Sequence, residues 1–298
     1  MQRALTNIFF PLTILLIGFL AGNNLLLVGW QRTQQINYLT STPEFLVWLA
    51  LVSILFSILP LCAIYGFLCI QKLRKNRFSA SSVWSLAILL ILFFIPSITM
   101  GNFPEVFPKA DLPSFKLRID LIVLFCGVCA TPAAISITLL NSYIQTLSPQ
   151  KFDFPNEYFK VRDQLDGLLG SIGLIIGLGT LATGGLQNAL AAYYKASGIV
   201  AKGVFPPILT VVYGGYFSVI LILLYVSLER STVELAKSFI DLHVQVPNLD
   251  SDSWVSAYEK RKKAEEWLKL TTPWINVKSG LAVFTPLIGG LISYIIPK

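Results

Sequence analysis

Residues 45–71 read FLVWLALVSILFSILPLCAIYGFLCIQ, a run of 27 positions with no Asp, Glu, Lys or Arg. A helix needs about 20 apolar residues to cross a hydrocarbon core roughly 30 Å thick. No water reaches the backbone there, so a crossing segment must satisfy its own N–H and C=O groups, and a helix does this internally. The pattern repeats along the chain. Residues 4–31, 78–104, 121–150, 167–194, 203–228 and 279–297 are also free of charge, and all 23 Lys and Arg and all 16 Asp and Glu fall outside these seven windows. The first six windows are 26 to 30 residues long and the last is 19. The reading is all-α: a polytopic helical membrane protein with about seven transmembrane helices.

Composition agrees. The chain of 298 residues is 13% charged, about half the soluble norm. Its mean hydropathy is +0.67. The net charge of +7 does not point to nucleic acid, because Lys and Arg collect on the cytoplasmic loops of ordinary membrane proteins. No platform of interleaved aromatic and basic residues suits single strands. The start, MQRALTN and a long apolar run, exceeds a cleavable apolar region of about 7–15 residues. The site Phe19-Leu20-Ala21 fits cleavage poorly, so an uncleaved first span is expected.

The spans expected are about Ile8–Trp30, Phe45–Ile70, Val83–Met100, Leu121–Gln145, Leu168–Tyr193 and Pro207–Leu228. Thr272-Pro273 fits an N-cap and first-turn pair, which starts a seventh near Trp274 and ends it at Ile296. Pro286, Gly289 and Gly290 weaken that last segment, which either crosses or is re-entrant. With the N-terminus inside, the inner segments hold 16 Lys and Arg and the outer ones 7. The run Lys72-Leu73-Arg74-Lys75-Asn76-Arg77 decides the orientation, since short loops count most. The expected location is the cell (inner or plasma) membrane, multi-pass, with a cytoplasmic N-terminus.

Three parts follow. Residues 1–228 hold helices 1–6 with short loops and a cytosolic extension of helix 5 at 151–167. Residues 229–272 form a cytosolic amphipathic helical hairpin. Residues 273–298 form the short C-terminal helix. Asp153-Phe154-Pro155-Asn156-Glu157 reads as a helix start with acids at the positive end of the dipole. Tyr158, Val161, Leu165, Leu168 and Leu169 then carry an apolar stripe into the membrane, and Arg162 and Asp166 sit one turn apart. The sixth span continues with Val233, Ala236, Phe239, Ile240 and Leu242 until Pro247. After a turn at 248–253, a second helix carries Trp254, Val255, Tyr258, Trp267 and Leu268 on its apolar side. Glu259–Lys263, Lys262–Glu266 and Glu265–Lys269 are i,i+4 pairs on its wet face. Pro104, Pro108 and Pro113 among Phe103, Phe107 and Phe115 suggest an irregular outer flap at 101–119. No internal repeat is visible, against an inverted-repeat transporter.

Chemistry is sparse. Gly170, Gly173, Gly177 and Gly179 line the fifth span, with Gly173-x-x-x-Gly177 at the spacing that lets helices approach closely. Packing within the subunit is the favoured reading, ahead of a subunit interface. A pore-lining helix is the third, since Thr180, Thr183, Gln187 and Asn188 continue a mildly polar face. Cys126-Gly-Val-Cys129 lies in the fourth span near its outer end. A thiol oxidoreductase needs a further thiol to pass electrons to, and Cys62 and Cys69 serve only if the second span packs beside the fourth. Apolar packing is the simpler role for such cysteines. Asn23, Asn24 and Asn141 are expected to hydrogen-bond other helices. His243 has no second His for a metal site. No phosphate loop, dinucleotide fingerprint, HExxH or GxSxG occurs, and charge-free spans speak against proton pumps, voltage sensors and retinal proteins.

No catalytic residue, cofactor or metal is therefore expected. The leading reading is a non-enzymatic, homo-oligomeric membrane protein forming a passive channel or pore gated through its cytosolic hairpin. The second is a membrane-embedded scaffold or accessory subunit that docks a cytosolic protein at 229–272. The third is a thiol oxidoreductase using Cys126 and Cys129. The expected partners are the lipid bilayer and further copies of the chain, not nucleic acid. Single cysteines at Asn76 and Ser251 should resist an impermeant thiol reagent on intact cells, while one at Pro108 is labelled. Labelling at Asn76 from outside inverts this topology.

Overall fold

The computed structural model describes residues 9–27, 42–73, 115–150, 153–197, 206–245, 253–270 and 277–295, with positions 84, 86–88 and 91–92. Among the described residues no strand occurs. Seven helices are bounded among the described residues: α1 (Phe9–Leu27), α2 (Pro43–Leu73), α3 (Phe115–Thr146), α4 (Phe154–Ser197), α5 (Ile208–His243), α6 (Trp254–Trp267) and α7 (Val277–Ile295). Five of them, α1 to α5, are long and apolar enough to cross a membrane, and α7 contributes a shorter apolar stretch, Gly280–Ile295. This is an all-helical, multi-pass membrane fold. Most of the 78–104 window and of the flap, 101–114, lies outside the described residues, as does the Thr272-Pro273 helix start.

The helices overrun the expected spans because nothing in the sequence stops them at the membrane. α4 has 44 residues, about 66 Å at 1.5 Å per residue, roughly twice the hydrocarbon thickness. Its first 13 residues, Phe154–Asp166, precede the charge-free window. α5 has 36 residues and continues past Leu228 for 15 more. Asp153 starts α4 as its composition suggests: its carbonyl accepts from the Glu157 N–H at 3.2 Å and its carboxylate from Asn156 Nδ2 at 2.7 Å. α5 stops at His243, four residues short of Pro247, with Val244 N–H donating to Ile240 O.

Interhelical contacts give a consistent register. α4 and α5 are antiparallel: Arg162 meets Glu229 and Phe154 stacks on Phe239. α7 runs parallel to α4, with Ala282, Thr285 and Ser293 against Gly173, Gly177 and Gly184. It is one continuous helix of 19 residues, about 28 Å long, despite Pro286. On the other side of the assembly, Gly18 and Gly22 of α1 press against Phe56, Ser57 and Ser53 of α2. α1 leaves Phe9, Leu12, Leu16 and Ile17 facing outward. The Arg118 guanidinium of α3 closes the end of α1, donating from Nη1 to Leu25 O at 2.7 Å and Leu26 O at 3.0 Å. The last carbonyls of a helix have no internal partner and carry its negative dipole end, so a cation there satisfies both.

Two apolar cores fill the membrane part. One joins α1, α2, α3 and the far half of α4 around Trp48, Leu55, Leu59 and Leu186. The other joins α2, α3, α4, α5 and α7 around Leu140, Leu165, Leu168, Ile172 and Leu221. A third cluster lies at the far end of the extensions: Phe154, Tyr158, Ala236, Ile240 and Leu268. The start of α4, the end of α5 and the turn after α6 meet there.

Candidate functional site

Two places gather the residues that carry chemistry: the glycine contacts of α4, α5 and α7, and a charged node where the extensions leave the apolar windows.

The glycines separate into two groups. A Cβ on Gly173 would overlap the Ala282 carbonyl, and one on Gly177 the Thr285 side chain. One on Gly184 would overlap Ser293. α7 returns the contact: a Cβ on Gly289 would lie 2.7 Å from Gly177 O, and one on Gly290 2.6 Å from Thr210 O of α5. Gly214 of α5 faces the Pro286 carbonyl. α7 is thus wedged between α4 and α5 at backbone distance. Packing is the main association force in lipid, and this approach maximises it. Gly170 and Gly179 differ, with nothing within 4 Å of the Cβ position, and Gly215 of α5 is likewise open. The stripe therefore has two faces, one filled within the subunit and one open.

The polar residues of that helix turn inward or onto their own backbone. Thr180 Oγ1 donates to Ile176 O at 2.7 Å and Thr183 Oγ1 to Gly179 O at 2.8 Å. Gln187 is 1% exposed. Asn23, expected to reach another helix, instead donates from Nδ2 to Phe19 O of α1 at 3.2 Å. His243 Nδ1 lies 2.9 Å from Phe239 O, one turn back. Short polar side chains on a helix reach the preceding turn more easily than a neighbouring helix.

The cysteines are all free thiols. α2 does pack beside α3, and Cys62, Cys126 and Cys129 share one apolar cluster while Cys69 belongs to the other. Cys129 is buried and Cys126 half-buried.

The charged node was not expected in this form. The sequence places Arg162 one turn from Asp166, but the guanidinium instead crosses to α5, Nη2 donating to Glu229 Oε1 at 3.0 Å. The side chains are 17% and 11% exposed. Nη1 donates to Tyr158 Oη at 3.2 Å and to Leu268 O at 3.3 Å, and Tyr158 Oη donates to the same carbonyl at 3.1 Å. One arginine so ties α4, α5 and the end of α6. Its planar fork holds several donors in fixed directions, so less freedom is lost per bond than with a lysine. The turn that presents Leu268 O has Lys269 in the left-handed region, φ 57°. Leu270 N–H donates to Glu265 O at 2.9 Å and Lys269 N–H to Glu266 O at 3.0 Å, the paired bonds of a Schellman end.

Further out, Arg261 Nη2 meets Asp241 of α5 at 2.7 Å and its Nε meets Glu265 at 3.2 Å. Burial works against the Arg261 charge, and the bonds to Glu265 and Asp241 outweigh it, holding the guanidinium above its ordinary value. On the wet face of α6 it is Arg261, not the expected lysine pairs, that forms the ion pairs seen among the described residues. Val255, Tyr258 and Trp267 are exposed, while Leu268 is fully buried. Among the described residues no group of His, Cys, Asp or Glu could hold a metal. No family model, curated protein or solved structure matches the chain.

Two outcomes follow from this geometry. Gly173→Leu and Gly177→Leu should prevent folding, since a leucine cannot enter a backbone contact without strain. Gly170→Leu and Gly179→Leu should change stability by no more than about 0.5 kcal/mol, measured by thermal unfolding in detergent. Glu229→Ala should cost roughly 2–4 kcal/mol by stranding the Arg162 charge. Glu234→Ala, which breaks the exposed Arg230–Glu234 pair of 75% and 64% exposure, should cost under about 0.5 kcal/mol.

Proposed function

We propose that the chain is a non-enzymatic, membrane-embedded scaffold that docks a cytosolic protein on α6, carried by the rigid pair of α4 and α5 extensions. The observation that carries this reading is the unbroken passage of α4 and α5 beyond their charge-free windows, where Arg162, Glu229 and Tyr158 fasten them to the end of α6. A helix continuous with a membrane span cannot fray at its membrane end. The extensions of two such helices are held at fixed angle and reach about 20 Å beyond the apolar windows. Val255, Tyr258 and Trp267 of α6 stand exposed, and aromatic residues of this kind anchor protein interfaces.

The finer topology belongs to the same proposal. The chain crosses seven times, with α7 as the last crossing, in the cell membrane. The N-terminus is cytoplasmic, and the extensions and α6 lie on the cytoplasmic side with the inner majority of Lys and Arg. No cofactor is required.

A second reading keeps the pore. Gly170, Gly179 and Gly215 leave open faces on α4 and α5, where further copies of the chain could seat and enclose a path between subunits. Within one subunit the contacts favour a scaffold, because α4, α5 and α7 meet backbone to backbone where a pore helix would need room. The thiol reading has least support, as Cys126 and Cys129 sit among apolar groups.

The two main readings part in one experiment. A photo-crosslinking side chain at Tyr258, installed in cells, should capture a defined soluble protein that Val255→Glu abolishes. The purified protein in planar bilayers should pass no current. Single-channel currents that Gly179→Leu alters would replace the scaffold with the oligomeric pore.

A further inference from the structure

α6 is held differently from every other described helix. None of its own residues, Trp254–Trp267, is buried. Seven of its fourteen side chains are charged. A helix of this length is marginal in water on its own, so contacts outside it must keep it in place. Among the described residues the buried contacts gather at its C-terminal end. Leu268, the first residue past the helix, is fully buried among Phe154, Tyr158, Ala236 and Ile240. Its carbonyl takes hydrogen bonds from both Tyr158 and Arg162. Beside it, Trp267 sets an edge against Phe159, with ring centroids 5.6 Å apart. Nearer its middle, the ion pair to α5 among the described residues is Arg261–Asp241, whose side chains are 32% and 58% exposed. A pair so open to water contributes little.

The neighbours of α6 have no such freedom. The extensions of α4 and α5 are continuous with membrane helices, pair through Arg162–Glu229, and bury Val161, Leu165, Thr232 and Ala236. Local stability follows buried contact, and regions with few buried contacts open at lower free energy than the whole.

We propose that α6 is a strap with a single latch: Leu268 and its carbonyl hold it, and it opens as a unit while the α4–α5 pair beneath stays folded. Opening withdraws Leu268 from the aromatic cluster and frees Tyr158 Oη and the Arg162 guanidinium from their shared acceptor. The strap is therefore a two-state element that a ligand with different affinity for the closed and open forms can bias. This holds for the chain alone, whether or not a partner docks on α6. The latch is also close in the chain to a membrane helix. Only six residues separate Leu270 from Val277, so the latched turn sits directly before the helix wedged between α4 and α5.

Hydrogen exchange read by mass spectrometry on the full chain in nanodiscs tests this. In the wild type, amides of 257–267 should exchange at least about tenfold faster than those of 230–243 and 158–166, all outside the charge-free windows. Leu268→Ala removes the latch side chain and should speed 257–267 by at least a further tenfold or so while moving 230–243 by less than about threefold. Tyr158→Phe removes one of the two bonds to the latch carbonyl and should give a smaller rise confined to the same segment. Exchange of 257–267 in step with 230–243 in the wild type overturns the strap. So does an equal acceleration of both segments in either variant, because α6 would then open only with the bundle as a whole.

Discussion

Prolines inside apolar helices set the constraint that the membrane part of this fold resolves. A proline has no N–H, so the carbonyl four residues earlier loses its helical donor, and in hydrocarbon no water replaces it. Pro60 frees the Phe56 carbonyl, and that oxygen lies where a Cβ of Gly18 would be. Pro286 frees the Ala282 carbonyl, and that oxygen lies where a Cβ of Gly173 would be. In each case a glycine on the next helix opens the space and turns Cα hydrogens toward the oxygen, a weak contact that recurs at close helix interfaces. Beyond Pro286, the Leu287 N–H finds Ser218 Oγ of α5 at 3.2 Å. Proline on one helix and glycine on its neighbour thus act as a pair. A similar close approach joins α2 to α3 around Pro132, where Gly66 has backbone against it and Ser136 Oγ donates to Gly66 O at 2.8 Å.

The consequence reaches the extensions. α7 is locked into α4 on one side and α5 on the other, so these two helices are held in fixed register across their apolar lengths. That register puts Arg162 opposite Glu229 at the edge of the apolar windows and Phe154 opposite Phe239 roughly 15–20 Å beyond them along the extensions. An ion pair this poorly hydrated costs desolvation and returns it only when its geometry is good. Here two rigid helices supply the geometry, and Arg162 gains further acceptors in Tyr158 and Leu268. The membrane contacts and the charged node are therefore one mechanical unit, with α6 as its loosest member.

The parts legible in the sequence are those that depend on one segment at a time. Absence of charge located the apolar helices, and the stripe from Tyr158 through Leu165 foretold that α4 begins well before the membrane. The Asp153 start and the helix following Ser253 were readable for the same reason. What pairing between segments decides was not readable. Gly173 and Gly177 announced a close neighbour but not that it would be α7, whose Pro286 and glycines argued against a continuous helix. Those glycines are instead the reason it fits. Arg162 was matched to Asp166 by helical spacing, a rule confined to one helix. The cross-helix partner could have been found from position, since Glu229 is the first charge beyond the 203–228 window and Arg162 lies just before the 167–194 window on the same side. Asn23 went to its own Phe19 carbonyl because α1 has only one packed face, filled by Gly18 and Gly22.

The distribution of polarity bears on function more than any single residue does. A conducting path needs groups that replace water around a permeant, and within the charge-free window of α4 the Ser171, Thr180 and Thr183 hydroxyls bond to carbonyls of their own helix. The groups held in a demanding geometry, Arg162, Glu229 and Tyr158, all stand where the helices leave the lipid. Selection for a tight interior with a rigid projecting pair of helices has a different signature from selection for passage. Passage would leave room and polarity at depth; a support would remove both there and spend its ion pair on fixing what projects. Close glycine contacts at depth and a paired charge node outside are what the proposed scaffold calls for.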